Sequence, residues 1–428
     1  MRQYLVITAN YWAFTLTDGA LRMLVVLHFH ALGYGPLAIA SLFLLYEIFG
    51  VVTNLVGGYL GARIGLNRTM HAGLALQVVA LAALTVPDAW LTVPWVMAAQ
   101  ALSGIAKDLN KMSAKGAIKV IAPSTGESST QREARLYRWI AILTGSKNAL
   151  KGIGFFLGGL LLTTISFRGA LFAMAAALAV VWVVSLLLVT GELGKAKAKP
   201  KFSELLSKSR AVNALSAARF FLFASRDAWF VVALPVYLGQ TLGWSFWQVG
   251  GFLAAWIIGY GAVQSVAPSI TKATARGNEL PDGRTALRWA AVLLVAPVGL
   301  ALALGAIGSE EANATTTTLA WTLVAGLAGY GVLFAVNSAL HSYLIVSYAT
   351  EDGVSLDVGF YYMSNAAGRL VGTLLSGWAF QAAGLGGDGL VMCLWISAAC
   401  VVASAGCACA LPRHGPNARP VSPVDAGD

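Results

Sequence analysis

Long apolar segments recur along the whole chain, at 4–32, 37–60, 70–86, 91–114, 137–165 and 169–190, and again at 213–238, 246–267, 287–307, 319–346, 354–383 and 387–411. Most approach or exceed the ~20 residues that cross a bilayer as a helix. Backbone groups in lipid must be satisfied within the segment, which favours helices, and the ten-residue alternation of a membrane barrel is absent. The pattern predicts an all-α membrane protein with twelve transmembrane helices in two six-helix bundles. Composition agrees: 57% of the 428 residues are hydrophobic and 11% charged, against about 25% charge in soluble domains. A water-soluble enzyme, a disordered chain, a collagen and a disulfide scaffold are excluded, and four cysteines give no disulfide framework. The first apolar stretch is too long for a signal peptide and reads as a retained span.

Lysine and arginine set the expected orientation. They concentrate in alternate connections: Arg63 and Arg68; Lys115, Lys119, Arg132 and Arg135; Lys195, Lys197, Lys199, Lys201, Lys208 and Arg210; Lys272, Arg276, Arg284 and Arg288. The intervening connections are nearly bare of cations apart from Arg168, and one holds Glu310 and Glu311. Both termini are therefore expected in the cytoplasm of a cell whose inner (plasma) membrane holds the chain. The net charge of 29 − 19 = +10 reads as this anchoring and not as a nucleic-acid surface. Residues 1–190 and 213–411 are expected as the two bundles, 191–212 as a basic cytoplasmic linker, and 412–428 as a disordered cytoplasmic tail. Weak self-similarity supports the division. Near an offset of 210, Leu32-Gly33-Tyr34 falls on Leu242-Gly243-Trp244, Asn54 on Gln264 and, with one gap, Asp18 on Asp227. At 218, Lys151 meets Arg369, Gly154 meets Gly372 and Gly159 meets Gly377. Parallel six-helix repeats are a transporter plan.

Gly58-Tyr59-Leu60-Gly61-Ala62-Arg63-Ile64-Gly65-Leu66-Asn67-Arg68 follows the second span and resembles the glycine/basic motif of the major facilitator superfamily. The resemblance implies gating roles for Gly58, Arg63, Gly65 and Arg68. The superfamily pattern has an acid where this chain has Ala62, which puts the acid-dependent gating contact in question. The blocks NYWAFTLTDGALRMLVVLHFHALGY, QALSGIAKDLNKMSAK, TGSKNALKGIGFFLGG and FYYMSNAAGRLVGTLLSG look like the ArsJ-type organoarsenical efflux permeases. That likeness implies export of 1-arseno-3-phosphoglycerate by alternating access, arsenate resistance, and a functional pairing with glyceraldehyde-3-phosphate dehydrogenase, which forms the ester. In the resembled fold, spans 1, 4, 7, 10 and 2, 5, 8, 11 line the central cavity.

Ionisable residues inside spans carry the residue-level case. A charge at a helix centre costs ~2.5–3.5 kcal/mol on insertion scales, and such residues face a cavity or a partner. Eight cations (Arg22, Lys107, Lys111, Lys147, Lys151, Arg219, Arg226, Arg369) stand against four acids (Asp18, Glu47, Asp108, Asp227), all on spans that are inner in the resembled fold. The surplus calls for an anionic ligand or a wet cavity. Arg22, Lys107, Lys111, Lys147, Lys151, Arg226 and Arg369, with Asn148, Asn337, Asn365 and His341, are the expected substrate contacts. Asp18, Glu47, Asp108 and Asp227 are candidates for proton coupling. Four-residue spacing puts Asp18 and Arg22 within reach of an internal bridge, and puts Lys147 and Lys151 on one face. Arg226 and Asp227, being adjacent, are not expected to form a same-face pair, so at least one needs another partner. Asp108 is expected to point away from Lys107, with a neighbouring span as a partner, and Glu47 reads as a lone acid at midspan, open to proton coupling or to a structural bridge with a cavity lysine.

Lys115 and Lys119 are expected to snorkel at the interface. Tyr361 and Tyr362 are open to either a cavity or a packing position. The stripe Cys393, Cys400 and Cys407 reads as packing, His28 and His30 diverge too far for joint metal ligation, and neither metal nor cofactor is expected. Gly145, Gly152, Gly154, Gly158 and Gly159 read as close helix packing, and their likeness to the superfamily's antiporter glycine motif is weak because its proline is missing. The expected protein is a monomeric secondary transporter and not an enzyme, its partners a small anionic organoarsenical or phosphorylated substrate and the lipid bilayer. The alternatives are an organophosphate/phosphate exchanger working in uptake, or a membrane-embedded sensor.

Overall fold

The computed structural model describes residues 2–33, 42–121, 129–189, 209–244, 246–274, 281–309, 316–349, 354–384 and 386–412. The greater part of the expected linker and tail, Glu310 and Glu311, and the side chains of Lys119, Arg132, Lys272, Arg276 and His30 lie outside the described residues. The described chain is helical: α1 Arg2–Ala31, α2 Leu44–Ile64, α3 Leu66–Ala83 and α4 Val93–Ile121. A continuous run Ser129–Leu188 leaves helical geometry at Ile165 and Ser166, which divides it into α5 (129–164) and α6 (167–188). Then come α7 Arg210–Phe230, α8 Phe246–Thr274, α9 Gly283–Ser309, α10 Thr316–Tyr348, α11 Val354–Ala382 and α12 Gly387–Ala408.

The seventh span is not one helix, as the sequence pattern suggests. It breaks after Phe230 and resumes at Ala233–Gln240. Pro235 explains the break, because its ring clashes with the carbonyl four residues earlier and it has no N–H to donate. Between α2 and α3 the chain turns at Gly65, whose φ of 98° suits glycine.

Seven helical runs are long and apolar enough to cross a membrane on length and composition alone. The charge-bearing α1, α4 and α11 are not among them. The outward surface is apolar: Leu187, Val295, Trp321, Leu374 and Trp378 are all more than half exposed, which fits lipid contact.

Packing within each half follows matched glycines. A Cβ on Gly154 of α5 would lie 2.6 Å from the Leu16 carbonyl of α1, and one on Gly372 of α11 would lie 2.7 Å from the Ala224 carbonyl of α7. The α1–α5 and α7–α11 crossings are thus the same contact in the two halves, at residues that correspond in the repeat. Between halves, α5 meets α8 at Gly145 and Gly261, and α2 meets α11 where Gly359 faces Gly58. The cores are divided by depth. One apolar core joins both halves at the end where α1 and α5 begin, including Tyr4, Tyr11, Met112, Tyr137, Leu215, Tyr343 and Tyr361. Toward the opposite end each half has its own, around Phe29, Leu84 and Phe167 in one and Leu238, Leu304 and Leu390 in the other. The halves are sealed together at one end and built separately at the other.

Candidate functional site

The charged side chains meet between these regions, on α1, α2, α4, α5, α7 and α11. Arg22 reaches across to Glu47, Nη2 to Oε1 at 2.8 Å, so the expected Asp18–Arg22 bridge is replaced by one between helices. Asp18 instead accepts from the Tyr46 hydroxyl at 2.7 Å. Arg22 also lies over the Tyr46 ring, 4.1 Å from its centroid, and Lys107 approaches that ring at 3.9 Å. Glu47 is not a lone acid: Arg369 of the other half lies 3.7 Å away.

Asp227 is fully buried and takes Arg369 Nε at 3.2 Å and Arg226 Nη2 at 2.5 Å. The adjacent residues pair directly, against the expectation, because the long arginine folds back along α7, while Asp227 does take a further partner, Arg369, as expected. Asp108 likewise binds on its own helix, to Lys111 at 2.6 Å and Lys107 at 3.6 Å. It does not point away from Lys107, since both lysine stems are flexible enough to swing toward it.

Lys147 and Lys151, both half-buried, have no ion pair or hydrogen bond among the described residues. Lys147 lies in electrostatic range of Lys111, Lys107, Arg369 and Asp18, and Lys151 of Arg22, Asp18, Arg369 and Lys147. Lys115 does not snorkel. It is 2% exposed and donates to the Tyr362 hydroxyl, because α11 covers this face of α4. Arg219, also buried, donates to Asn365 Oδ1 at 2.9 Å and to the Ser338 carbonyl at 3.0 Å, with no carboxylate partner among the described residues. Counting Lys115, nine cations surround four acids, a surplus of 9 − 4 = +5. Lys115, Lys147, Lys151 and Arg219 have no carboxylate at contact distance among the described residues.

The neutral candidates differ in position. Asn148 donates to Gln264 Oε1 of α8 at 2.5 Å. Asn365 holds Arg219. The Asn337 amide bonds the Trp289 and Leu333 carbonyls at 2.9 Å, toward α9. His341 is buried, and neither ring nitrogen is hydrogen-bonded among the described residues. Tyr362 faces the charges, its hydroxyl taking Lys115 and its ring lying 4.5 Å from Lys111. Sequence reading left out Tyr46, whose ring and hydroxyl organise Arg22, Lys107 and Asp18. Its spacing to those residues across helices is invisible in one dimension.

Among the residues expected to gate, Gly58 packs on Gly359, Gly65 makes the turn, Arg63 donates to the Tyr59 hydroxyl at 2.6 Å, and Arg68 sits exposed on the first turn of α3. Ala62, at the position of the missing acid, is packed with Leu356. Cys393, Cys400 and Cys407 lie on α12, where Cys393 donates weakly to the Ser376 carbonyl at 3.6 Å, and His28 stacks on Phe167 at 3.9 Å. Among the described residues, no group of three or more His, Cys, Asp or Glu side chains could hold a metal.

A twelve-helix bundle with charge gathered between its halves defines a membrane transporter. The chain belongs to the Major Facilitator Superfamily, whose family model matches residues 4–344. No curated protein matches it. Solved structures share the fold at low identity. A bacterial homologue of the iron transporter ferroportin in the outward-facing state is 14% identical, with TM-score 0.70 over 96% of this chain and 99% of that one. The human organic anion transporter MFSD10 (TETRAN) is 15% identical, with TM-score 0.71 over 95% and 99%. The E. coli fucose:proton symporter FucP, solved as a point variant, is 13% identical, with TM-score 0.66 over 95% and 97%. The protein is a multi-pass secondary transporter and not an enzyme.

Proposed function

We propose that this transporter carries a small organic polyanion, and that its substrate is a phosphorylated or arsenylated three-carbon acid, 1-arseno-3-phosphoglycerate, exported by alternating access to give arsenate resistance. The observation that carries the reading is the surplus of positive charge between the halves, centred on Lys147 and Lys151. Two ammonium groups four residues apart on one helix repel unless an anion or water lies between them. Arginine supplies a bidentate grip for phosphate or carboxylate, and lysine a point charge. A multiply charged guest would neutralise both halves at once and favour their closure around it. The solved neighbours are named for iron, an organic anion and fucose, so the shared fold does not choose the substrate; the side chains and the ArsJ-type sequence blocks support the choice.

In this reading the sealed end faces the cytoplasm, both termini lie there in the inner membrane, residues 191–212 link the bundles, and glyceraldehyde-3-phosphate dehydrogenase supplies the cargo to a monomeric carrier. Asp18, hydrogen-bonded to Tyr46 and with no cation at contact distance among the described residues, is the strongest candidate for carrying a proton. Expression with that dehydrogenase in arsenate-sensitive cells tests the reading: resistance is expected, and is expected to vanish in Lys147→Ala, Lys151→Ala or Arg369→Ala at normal expression. Normal resistance in all three would remove these residues from the site. In vesicles, labelled 3-phosphoglycerate flux that depends on phosphate on the far side would favour the organophosphate/phosphate exchanger instead. Binding without flux would favour a sensor.

A further inference from the structure

A second basic feature lies on the lipid-facing side, away from the central charges. At the sealed end, α1 and α5 diverge around a groove of about 650 Å³. Its walls are Leu5, Thr8 and Trp12 from α1 and Arg135, Arg138 and Ile142 from α5, with Tyr4 and Trp139 between them. Trp139 stacks on Tyr4 at 4.4 Å and carries the Arg135 guanidinium 5.6 Å from its ring centroid. Trp12 closes the inner end, its indole N–H donating to Ser146 Oγ across the two helices at 2.8 Å. Leu5 is 58% and Trp12 39% exposed, and Arg138 is exposed.

The groove is therefore graded. Two arginines mark the mouth near the start of α5, and apolar and aromatic side chains line the stretch toward Ile142, one to two turns or ~10 Å deeper. Two guanidinium groups within the first turns of the candidate span Ala134–Leu188, beside an apolar trough, match a phosphate headgroup with an acyl chain beneath it. Basic pockets between transmembrane helices are general sites for anionic headgroups, and aromatic rings anchor at the same level. A water-soluble phosphate would leave the trough exposed, and a zwitterionic lipid would bring a choline cation against the arginines.

We propose that this groove is a binding site for one anionic phospholipid of the leaflet at the sealed end, held by Arg135 and Arg138 and lying along Trp12 and Ile142. Because the lipid would bridge α1 and α5, the helices joined through Gly19 and Gly154, it would brace the first half. The test is native mass spectrometry of the full chain released from detergent with phosphatidylglycerol or phosphatidylcholine. The wild type is expected to retain one phosphatidylglycerol at least tenfold more tightly than phosphatidylcholine. Arg135→Ala/Arg138→Ala is expected to lose that preference, and Arg135→Lys/Arg138→Lys to keep part of it. Arg284→Ala/Arg288→Ala, basic changes on α9 at the same end, should leave it intact. Equal retention of the two lipids by the wild type, or undiminished preference in the alanine variant, overturns the proposal. Should the alanine variant not fold, quenching of wild-type tryptophan by brominated lipids decides: stronger quenching by the phosphatidylglycerol supports the site, and equal quenching by both overturns it.

Discussion

The two halves use corresponding residues in opposite ways. In the second half, Asp227 on α7 holds Arg369 on α11 at 3.2 Å. Their counterparts by the repeat are Asp18 on α1 and Lys151 on α5, carried by helices that cross through the same glycine contact. There the acid bonds a tyrosine hydroxyl, and the cation has no ion pair or hydrogen bond among the described residues. One half ties Arg226 and Arg369 to a buried carboxylate, with Arg369 also 3.7 Å from Glu47 of the first half; the other leaves two lysines on a half-buried face. An arrangement built only for stability would pair both sets. The asymmetry sets a carboxylate-bound Arg369 apart from two lysines with no carboxylate at contact distance among the described residues, and under the proposed function it is these lysines that would offer charge to the ligand.

Changes at the acids should expose this difference most strongly. Asp227→Asn leaves Arg226 and Arg369 without their buried carboxylate and is expected to cost about 3–5 kcal/mol, read as a large fall in the melting temperature of the purified chain. Asp18→Asn, with no cation at contact distance to strand, is expected to cost about 1 kcal/mol or less. Equal losses would erase the contrast. Next in size is Arg369→Ala, which removes a charged contact from a site still holding Lys147 and Lys151. Transport is expected to fall about tenfold to a hundredfold, matching about 1.5–3 kcal/mol for a charge-assisted bond. Unchanged flux at normal expression would make Arg369 purely structural.

Lys115→Met probes the surplus from the other side. Replacing a buried cation that lacks a carboxylate partner by an apolar side chain of similar length is expected to raise the stability of the ligand-free chain by about 1 kcal/mol, measured by thermal unfolding. A clear drop would mean that its charge is compensated. An effect of similar size but confined to stability is expected at Asn337→Ala, where two hydrogen bonds to main-chain carbonyls are lost. Stability should fall by about 1 kcal/mol, with the substrate concentration for half-maximal transport unmoved.

Much of this organisation is legible in one dimension. Twelve apolar runs give the span count, and the offset 218 aligns Gly154 with Gly372 and Lys151 with Arg369, the glycines lying at equivalent crossings. The excess of intramembrane cations is a matter of counting. Pairing is not. Spacing along a helix suggests Asp18 with Arg22 and separates Arg226 from Asp227, yet long flexible side chains choose partners by distance in three dimensions, across α2 for Arg22 and back along the same helix for Arg226. Lys115 looks interfacial because it lies late in its span, and only the cover of α11 makes it internal. Tyr46 carries no signal, since a tyrosine in an apolar run is ordinary until a lysine is found against its ring.

The claim on which the rest depends is that Lys147 and Lys151 hold a multiply negative guest. Isothermal titration of the purified full chain with 3-phosphoglycerate measures this directly. The expected result is saturable binding that weakens as salt screens it, and a loss of about a hundredfold or more in Lys147→Ala/Lys151→Ala, from two charge-assisted contacts of at least about 1.5 kcal/mol each. A folded double variant that binds 3-phosphoglycerate as tightly as the wild type would contradict it.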